Sequence, residues 1–331
     1  MVISLGKMSD VSNKEFIHLK IHTQYSICEG ALRTSDLVKH CKSNKIKAVG
    51  LCDSYNLCGA LEFSESIAKT KTQPIIGSQI SFHYKNYRGK IPLFAKNQVG
   101  YKNLIKLSSK SFLEIQGNEE PHCKIEDLEE NSEGLILLSG ALDGLIGKLF
   151  TNNLIDEVFL LLKKFKKKFN ENFYLEIQRH GDQGENLFEK FLLNASAEFE
   201  LPIIATHEVF YLEKDMHEAH DAYLCIGEKT YVNSPDRRKY TDEHYLKNSE
   251  EMYKIFEDLP DALENNANFP LRVSYRPKNS QPVLPNIQTT KIKNVNDLLK
   301  KESEDGLEEK LNEYIFPYSD QKNKINRVRK H

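Results

Sequence analysis

Short apolar runs alternate with amphipathic stretches along the first 210 residues of this chain. Apolar runs of four to eight residues are typical of buried strands, whereas apolar residues spaced three and four apart are typical of helices. The apolar runs predict strands at residues 16–22, 47–52, 74–82, 91–95, 134–138, 173–177 and 202–205. The amphipathic stretches predict helices at residues 34–41, 57–69, 101–110, 154–169 and 186–198.

This alternation predicts an α/β protein. Strands that are apolar along their whole length are typical of a mainly parallel sheet covered by helices. Seven such strands before residue 210 favour a closed or nearly closed barrel over an open sheet. Beyond residue 210 the pattern becomes helical, with predicted helices at residues 215–226, 249–256 and 260–268.

The ends of the chain differ in character from its middle. Residues 1–14 precede the first predicted strand, and we expect a flexible N-terminus there. Residues 274–285 contain three prolines and form the best candidate for a domain boundary. Residues 291–331 are helical in composition, dense in charge and without a closing element, so we expect a truncated segment.

Composition excludes several classes of protein. With 39% hydrophobic and 28% charged residues, the chain is globular rather than disordered. Its net charge of -2 gives no overall attraction to nucleic acid, so any such contact requires a local patch. The six cysteines form no C-x-x-C pair, which favours reduced thiols in the cytoplasm. No apolar run approaches the ~18 residues that span a membrane, and we see no signal peptide.

The first strand carries the most suggestive chemistry. The twofold period of a strand places His18, Lys20 and His22 on one face. Two imidazoles there would attract Zn²⁺ or Mn²⁺, but a lysine ammonium about 4 Å from a divalent ion is repelled by roughly 8 kcal/mol at an effective dielectric of ~20. The alternative is that one histidine is a hydrogen-bonded barrel residue and the other faces the strand end.

Other candidates are weaker when each is taken alone. The further acidic and imidazole side chains near predicted strand ends are Glu29, Asp53, His180, His207 and Glu208. His217 and His220 have helical spacing, which is common by chance in a chain with 11 histidines. No G-x-S-x-G motif, phosphate-binding loop or G-x-G-x-x-G motif occurs.

Several strings resemble the PHP (polymerase and histidinol phosphatase) domain, in the form carried by bacterial DNA polymerase III α subunits. They lie in the family's order over about 190 residues, at 16–30, 53–59, 73–77, 95–104, 133–140, 174–181 and 201–206. The resemblance implies a distorted (β/α)7-type PHP barrel over residues 15–272 with appended helices. It also implies a helical C-terminal extension at 273–331, comprising a linker and the truncated start of the polymerase palm region.

Metal-binding members of this family use nine positions for histidines, carboxylates and a cysteine. Carried over by resemblance, the residual metal candidates are His22, Glu29 and Glu208, the last where aspartate is usual. The other six positions hold Lys20, Ser54, Gln79, Lys90, Ala141 and Phe210. Too few donors remain for a multi-metal site, so we expect a degenerate site with no metal and no catalytic residue in this segment.

The resemblance therefore implies the N-terminal region of a replicative polymerase, which uses Mg²⁺ and primer–template DNA as a whole. Its activity would reside in palm aspartates that residues 270–331 do not supply. We expect this segment to be a structural scaffold and a docking site for the proofreading exonuclease and other replicase subunits. Two alternatives stay open: a Zn²⁺- or Mn²⁺-dependent phosphoesterase or 3′–5′ exonuclease, and a stand-alone histidinol-phosphatase-like enzyme.

Overall fold

The computed structural model describes residues 15–117, 119–283 and 294–315. The predicted flexible N-terminus, residues 1–14, lies outside the described residues. The contacts divide the chain into two compact units, Met1–Asn279 and Ser280–His331. Within the described residues, no helix combines the length and apolar character needed to cross a membrane.

The first unit alternates strands and helices, and the α/β prediction is confirmed. Its strands are β1 (Lys20–Ile21), β2 (Ala48–Ser54), β3 (Gln73–Tyr84), β4 (Tyr87–Ala95), β5 (Cys123–Lys124), β6 (Leu135–Leu138), β7 (Phe173–Ile177), β8 (Ile203–Ala205) and β9 (Glu208–Val209). Its helices are α1 (Thr34–Asn44), α2 (Ala60–Ala68), α3 (Gln98–Leu113), α4 (Ile125–Glu130), α5 (Leu145–Thr151), α6 (Ile155–Phe169), α7 (Glu185–Phe199), α8 (His217–Glu228), α9 (Ser249–Ile255) and α10 (Pro260–Asn268).

The main sheet has the strand order β2-β3-β4-β6-β7-β8, with β5 added beside β3. The sheet is less parallel than the pattern predicted, because β4 runs antiparallel to both β3 and β6. Only Lys85 and Asn86 separate β3 from β4. A two-residue connection can join antiparallel strands, whereas a parallel pair needs a crossover of a dozen residues or more.

The sheet curls towards closure through its first strand. Strand β1 pairs in parallel with β9, and the Gly50 amide of β2 donates to the His18 carbonyl at 2.7 Å. A Cβ at Gly50 would lie 2.3 Å from the Leu19 carbonyl oxygen, so this close approach of two backbones requires glycine.

One side chain joins the remaining seam, between the residues that lead into β1 and strand β8. The Asn266 side chain of α10 accepts from the Ile17 amide at 2.8 Å. It also donates to the Ile17 carbonyl at 2.8 Å and to the Ala205 carbonyl at 3.0 Å. Asn266 is fully buried, so it replaces ladder hydrogen bonds where water cannot.

Helices cover the outside of the curled sheet. Helix α6 shows why they form: Val158, Leu161, Leu162, Phe165 and Phe169 are buried on one face, and the lysines lie on the other. Each such apolar side chain contributes roughly 1.5–3 kcal/mol when it is fully buried.

The described part of the second unit is helical. It contains α11 (Val295–Lys310) and a π-helical turn at Leu311–Ile315. Residues 273–283 have no regular secondary structure, and residues 284 and 285 of the proposed boundary lie outside the described residues. The assignment of residues 273–331 to a linker and the start of a palm region stays a prediction.

Candidate functional site

The polar side chains singled out in the sequence meet inside the curled sheet. Lys20 of β1 and Glu208 of β9 are direct neighbours in the parallel pairing, and Gln79 comes from β3. Glu176 of β7 joins them from the far side of the sheet. All four are buried, although each is polar or charged. Buried charges are stable only when they are paired, so their contacts decide what this site can do.

Lys20 is enclosed by two carboxylates. Its Nζ lies 3.2 Å from Glu176 Oε1 and 3.5 Å from Glu208 Oε1. Burial alone would lower the pKa of the ammonium, but the two carboxylates more than offset this and raise it above its ordinary value. Lys20 therefore stays charged, with its side chain 1% exposed.

Glu176 was missed by the sequence analysis. It accepts hydrogen bonds from the Thr206 hydroxyl and, at 2.9 Å, from the Gln178 amide. The available signal was a single acidic residue in the otherwise apolar run Phe173–Ile177. An acidic side chain in a fully buried strand requires a cation, and Lys20 is that cation.

His22 and Glu208 form the centre of the group. His22 Nε2 lies 2.8 Å from Glu208 Oε1, and its Nδ1 lies 3.3 Å from the Ser26 hydroxyl. The Gln79 amide donates to the same Glu208 oxygen. Burial would raise the pKa of Glu208, but Lys20 and the His22 hydrogen bond hold it well below its usual range.

Glu29 and Lys90 form a second ion pair, beside a cavity that opens to solvent. Lys90 Nζ donates to Glu29 Oε1 at 2.7 Å and to the Ser54 hydroxyl at 3.0 Å, and the Ser54 hydroxyl donates to the other Glu29 oxygen. Arg238 Nη1 lies 3.3 Å from Glu29. Burial would raise the pKa of Glu29, but Lys90 above all lowers it to about 2.

The structure thus brings most of the predicted site residues into one connected group, here called the barrel network. Its members are Lys20, His22, Glu29, Ser54, Gln79, Lys90, Glu176 and Glu208. Phe210 closes it on one side, with its ring 4.7 Å from the His22 ring. Ala141 lies beside Glu176 without a polar contribution of its side chain. A cavity of about 520 Å³ opens outside Glu29 and Lys90, lined also by Asp143 and Tyr240.

Several weaker candidates have structural partners instead. Asp53 accepts from the Thr23 amide at 2.7 Å and the Ser26 hydroxyl at 2.6 Å, which fixes the loop after β1. His18 donates to the Lys247 carbonyl at 2.8 Å, as expected for a hydrogen-bonded barrel histidine.

The remaining histidines also bind main-chain carbonyls. His207 binds the carbonyl of Tyr245 at 3.0 Å. His217 and His220 bind two different carbonyls, at 3.1 Å and 2.7 Å, and do not form a pair.

A second group lies outside the barrel network. Possible ligand atoms of His180, Asp182 and His244 all lie within 4.8 Å of one another. His180 could be singled out from the sequence, but Asp182 and His244 could not, because they lie in loops without a recognisable motif. This is the one such group of three found among the described residues.

The comparisons with known proteins agree on one family. A family model described as "PHP domain" matches residues 18–180. DNA polymerase III subunit alpha of Rickettsia bellii is 37% identical over 294 residues, which cover 88% of this chain and 25% of that protein. The Caulobacter vibrioides subunit is 35% identical over 312 residues, covering 92% and 27%. The Vibrio cholerae subunit is 33% identical over 311 residues, covering 93% and 27%.

The chain spans about a quarter of the length of these curated relatives. Solved structures are more distant. An amidohydrolase from Chromobacterium violaceum has a TM-score of 0.39 at 10% identity, covering 59% of this chain and 87% of that one. A two-domain Bacteroides vulgatus protein with a predicted PHP-like metal-dependent phosphoesterase has a TM-score of 0.38 at 12% identity, covering 72% and 62%. At TM-scores below 0.5 these likenesses say nothing about function.

Proposed function

Because this chain belongs to the PHP-domain family, in the form carried by DNA polymerase III alpha subunits, we propose that it acts as the N-terminal scaffold of a replicative polymerase. In this proposal the PHP domain has lost phosphoesterase chemistry. The whole protein would extend primers on template DNA with Mg²⁺, using residues outside this segment. The observation that carries the proposal is that the lysines and glutamates inside the barrel are paired with one another.

The cations of the site are paired with its carboxylates. Three positive groups, Lys20, Lys90 and Arg238, contact three carboxylates within 3.5 Å. Those carboxylates are Glu29, Glu176 and Glu208. A divalent ion would add two positive charges next to these ammonium groups. At about 4 Å, each ammonium would repel it by roughly 8 kcal/mol at an effective dielectric of ~20.

The donors that a metal would need are also already engaged. His22 Nε2 contacts Glu208, which in turn contacts Lys20 and Gln79. Glu29 contacts Lys90 and Ser54. These side chains therefore do not fit a hydrolytic metal cluster, since binding one would break several buried, charge-assisted hydrogen bonds.

The proposed role is then mechanical. A barrel with an ion-paired, hydrogen-bonded centre is a rigid platform that other replicase components can bind. By resemblance to the family, the proofreading exonuclease is the partner we propose for this surface, and other replicase subunits would assemble around the whole protein.

A cleavage assay tests the loss of chemistry. The purified chain is incubated with 3′-labelled single-stranded DNA and Mn²⁺ or Zn²⁺, beside a His22→Gln variant. We expect no metal-stimulated release of nucleotide from either protein. Release that depends on metal and disappears in His22→Gln would support the phosphoesterase or 3′–5′ exonuclease alternative and overturn the proposal.

A binding assay tests the scaffold role. The proofreading exonuclease subunit from the same organism is titrated into the chain and the mixture is analysed by size-exclusion chromatography with light scattering. We expect a stoichiometric complex. If the exonuclease and the chain elute separately at tens of micromolar concentration, the docking role fails.

A further inference from the structure

Two histidines outside the barrel network bind the two main-chain polar groups of Glu208. The rings of His180 and His244 stack with centroids 4.0 Å apart and an interplanar angle of 2°. Both side chains are about 98% buried, since each residue is 2% exposed. The Glu208 amide donates to His180 Nε2 at 3.1 Å, and the Glu208 carbonyl contacts His244 Nδ1 at 3.1 Å.

These two contacts fix where the ring protons lie. A backbone N–H only donates, so His180 Nε2 is unprotonated and the proton of the neutral ring is on Nδ1. A backbone carbonyl only accepts, so His244 Nδ1 carries the proton and Nε2 is bare in the neutral ring. His180 Nδ1 lies 3.5 Å from Glu185 Oε1, where its N–H has an acceptor. His244 Nε2 has no such hydrogen-bond partner.

His244 Nε2 is buried without a hydrogen-bond partner. The neighbouring charged atom is Asp182 Oδ2, at 3.8 Å. A bare imidazole nitrogen and a carboxylate oxygen are both electron-pair donors, so a proton or a metal ion between them is what would hold them together. Asp182 has its side chain 41% exposed, which leaves a path from solvent to this point.

We propose that a divalent transition-metal ion of the Zn²⁺ class binds here, with His244 Nε2 and the Asp182 carboxylate as ligands. Imidazole nitrogen and carboxylate oxygen suit such ions. The Glu208 carbonyl orients His244, as a hydrogen bond to the far nitrogen orients a metal-binding histidine. Water completes the coordination. We call His244 and Asp182 the rim pair.

His180 belongs to the surroundings of this ion rather than to its ligands. Its Nδ1 is protonated, and a ligand lone pair lies in the plane of its ring. An ion on the lone pair of His244 cannot also lie on that of a parallel ring about 4 Å away. His180 instead accepts a hydrogen bond from the Glu208 amide through its Nε2.

The rim pair is separate from the barrel network, although both touch residue Glu208. Its side chain points to His22 and Lys20, whereas its main chain holds His180 and His244. None of the nine positions that the PHP resemblance assigns to metal binding is part of the rim pair. The inference therefore does not depend on the proposed scaffold function.

Isothermal titration of the full chain with Zn²⁺ at neutral pH tests the site. We expect one ion per chain, with affinity reduced at least about tenfold in His244→Ala and in Asp182→Asn. Asp182→Asn changes a partly exposed side chain, so it keeps the proposal testable if His244→Ala does not fold. His122→Ala, in which a partly exposed histidine outside the rim pair is removed, is the matched control and should bind like the wild type.

The variants also separate the two proposals. Zn²⁺ binding that survives in His22→Gln and is lost in His244→Ala supports the rim pair and leaves the scaffold proposal intact. Binding lost in His22→Gln but kept in Asp182→Asn would place the ion in the barrel and contradict both. No Zn²⁺ binding, or binding unchanged in His244→Ala and Asp182→Asn, would overturn the rim pair alone.

Discussion

Lys20 is the residue that most strongly determines the electrostatics inside this barrel. Its buried ammonium lies between two carboxylates and pairs with both of them. A buried ion pair does not by itself make a protein more stable, because both charges lose their hydration. The pair matters because removing one partner alone would leave the other as an uncompensated buried charge.

Replacing Lys20 by methionine tests this dependence. The change leaves Glu176 and Glu208 buried without their cation, so we expect the free energy of unfolding at pH 7 to fall by about 3–5 kcal/mol. Urea unfolding measures it. The double variant Lys20→Met/Glu176→Gln should recover part of the loss, because it removes one uncompensated carboxylate. A single variant as stable as the wild type would show that Lys20 does not hold these carboxylates.

The buried histidines predict a loss of stability in mild acid. Burial lowers the pKa of His18 to about 4 and holds those of His180 and His207 well below their usual range. The unfolded chain then binds more protons than the folded one below pH ~6.5, so stability is lost as pH falls from there towards 4. His18 alone would contribute about 3 kcal/mol to this loss.

Urea unfolding between pH 7 and pH 4.5 measures the effect. We expect the free energy of unfolding to decrease steadily over this range, and less steeply in a His18→Gln variant. His83→Gln, at a partly exposed histidine outside these groups, should follow the wild-type slope. A free energy of unfolding that is constant from pH 7 to pH 4.5 would contradict this account.

Single residues also show how far sequence reasoning reaches. Lys20 and His22 could be placed on one face from strand periodicity, and the family resemblance assigned Glu208 to the same site. Glu176 and Asn266 could not, since their role depends on partners that lie far away along the chain. His244 carries no motif, and only the folded contact with the Glu208 carbonyl distinguishes it.

At the scale of elements, buried apolar runs were sufficient to find each of the longer strands. The missed elements are short, such as β5 (Cys123–Lys124), α4 (Ile125–Glu130) and β9 (Glu208–Val209). Two to six residues do not show a measurable period, and tertiary contacts decide their structure. The antiparallel course of β4 followed from the two-residue turn, which a pattern of apolar residues does not reveal.

Closure of the barrel depends on a helix as much as on strands. Asn266 of α10 satisfies three buried backbone groups across the seam. We expect Asn266→Ala to lower the free energy of unfolding by about 3 kcal/mol or more, since each unsatisfied buried group costs about 1–3 kcal/mol. Hydrogen exchange should show faster exchange of the Ile17 amide.

The neighbouring Asn265 is the matched control for this change. Its side chain donates one hydrogen bond in the same region, to the Ile203 carbonyl at 2.8 Å, and is only partly buried. We expect Asn265→Ala to cost about 1 kcal/mol, the typical net value of one hydrogen bond. Equal effects of the two substitutions would mean that the hydrogen bonds of Asn266 are not essential for closing the barrel.

For the molecule as a whole, fold and family could be predicted from the sequence, because motifs in the family's order lie on strands that the apolar pattern also finds. The chain covers about a quarter of its relatives' length, so its part in replication stays a proposal. Within the first unit, side chains at the positions that the family uses for metal are linked to one another by hydrogen bonds and ion pairs. This is why we propose a scaffold rather than a hydrolase.

The most direct test of this account is a titration of Mn²⁺ into the Asp182→Asn/His244→Ala variant, in which the proposed rim ligands are absent. In the barrel network, Glu29, Glu176 and Glu208 are already paired with Lys20, Lys90 and Arg238. We therefore predict no saturable binding of Mn²⁺ in the micromolar range. Two or three ions bound per chain, and lost when Glu208 is replaced by glutamine, would contradict it.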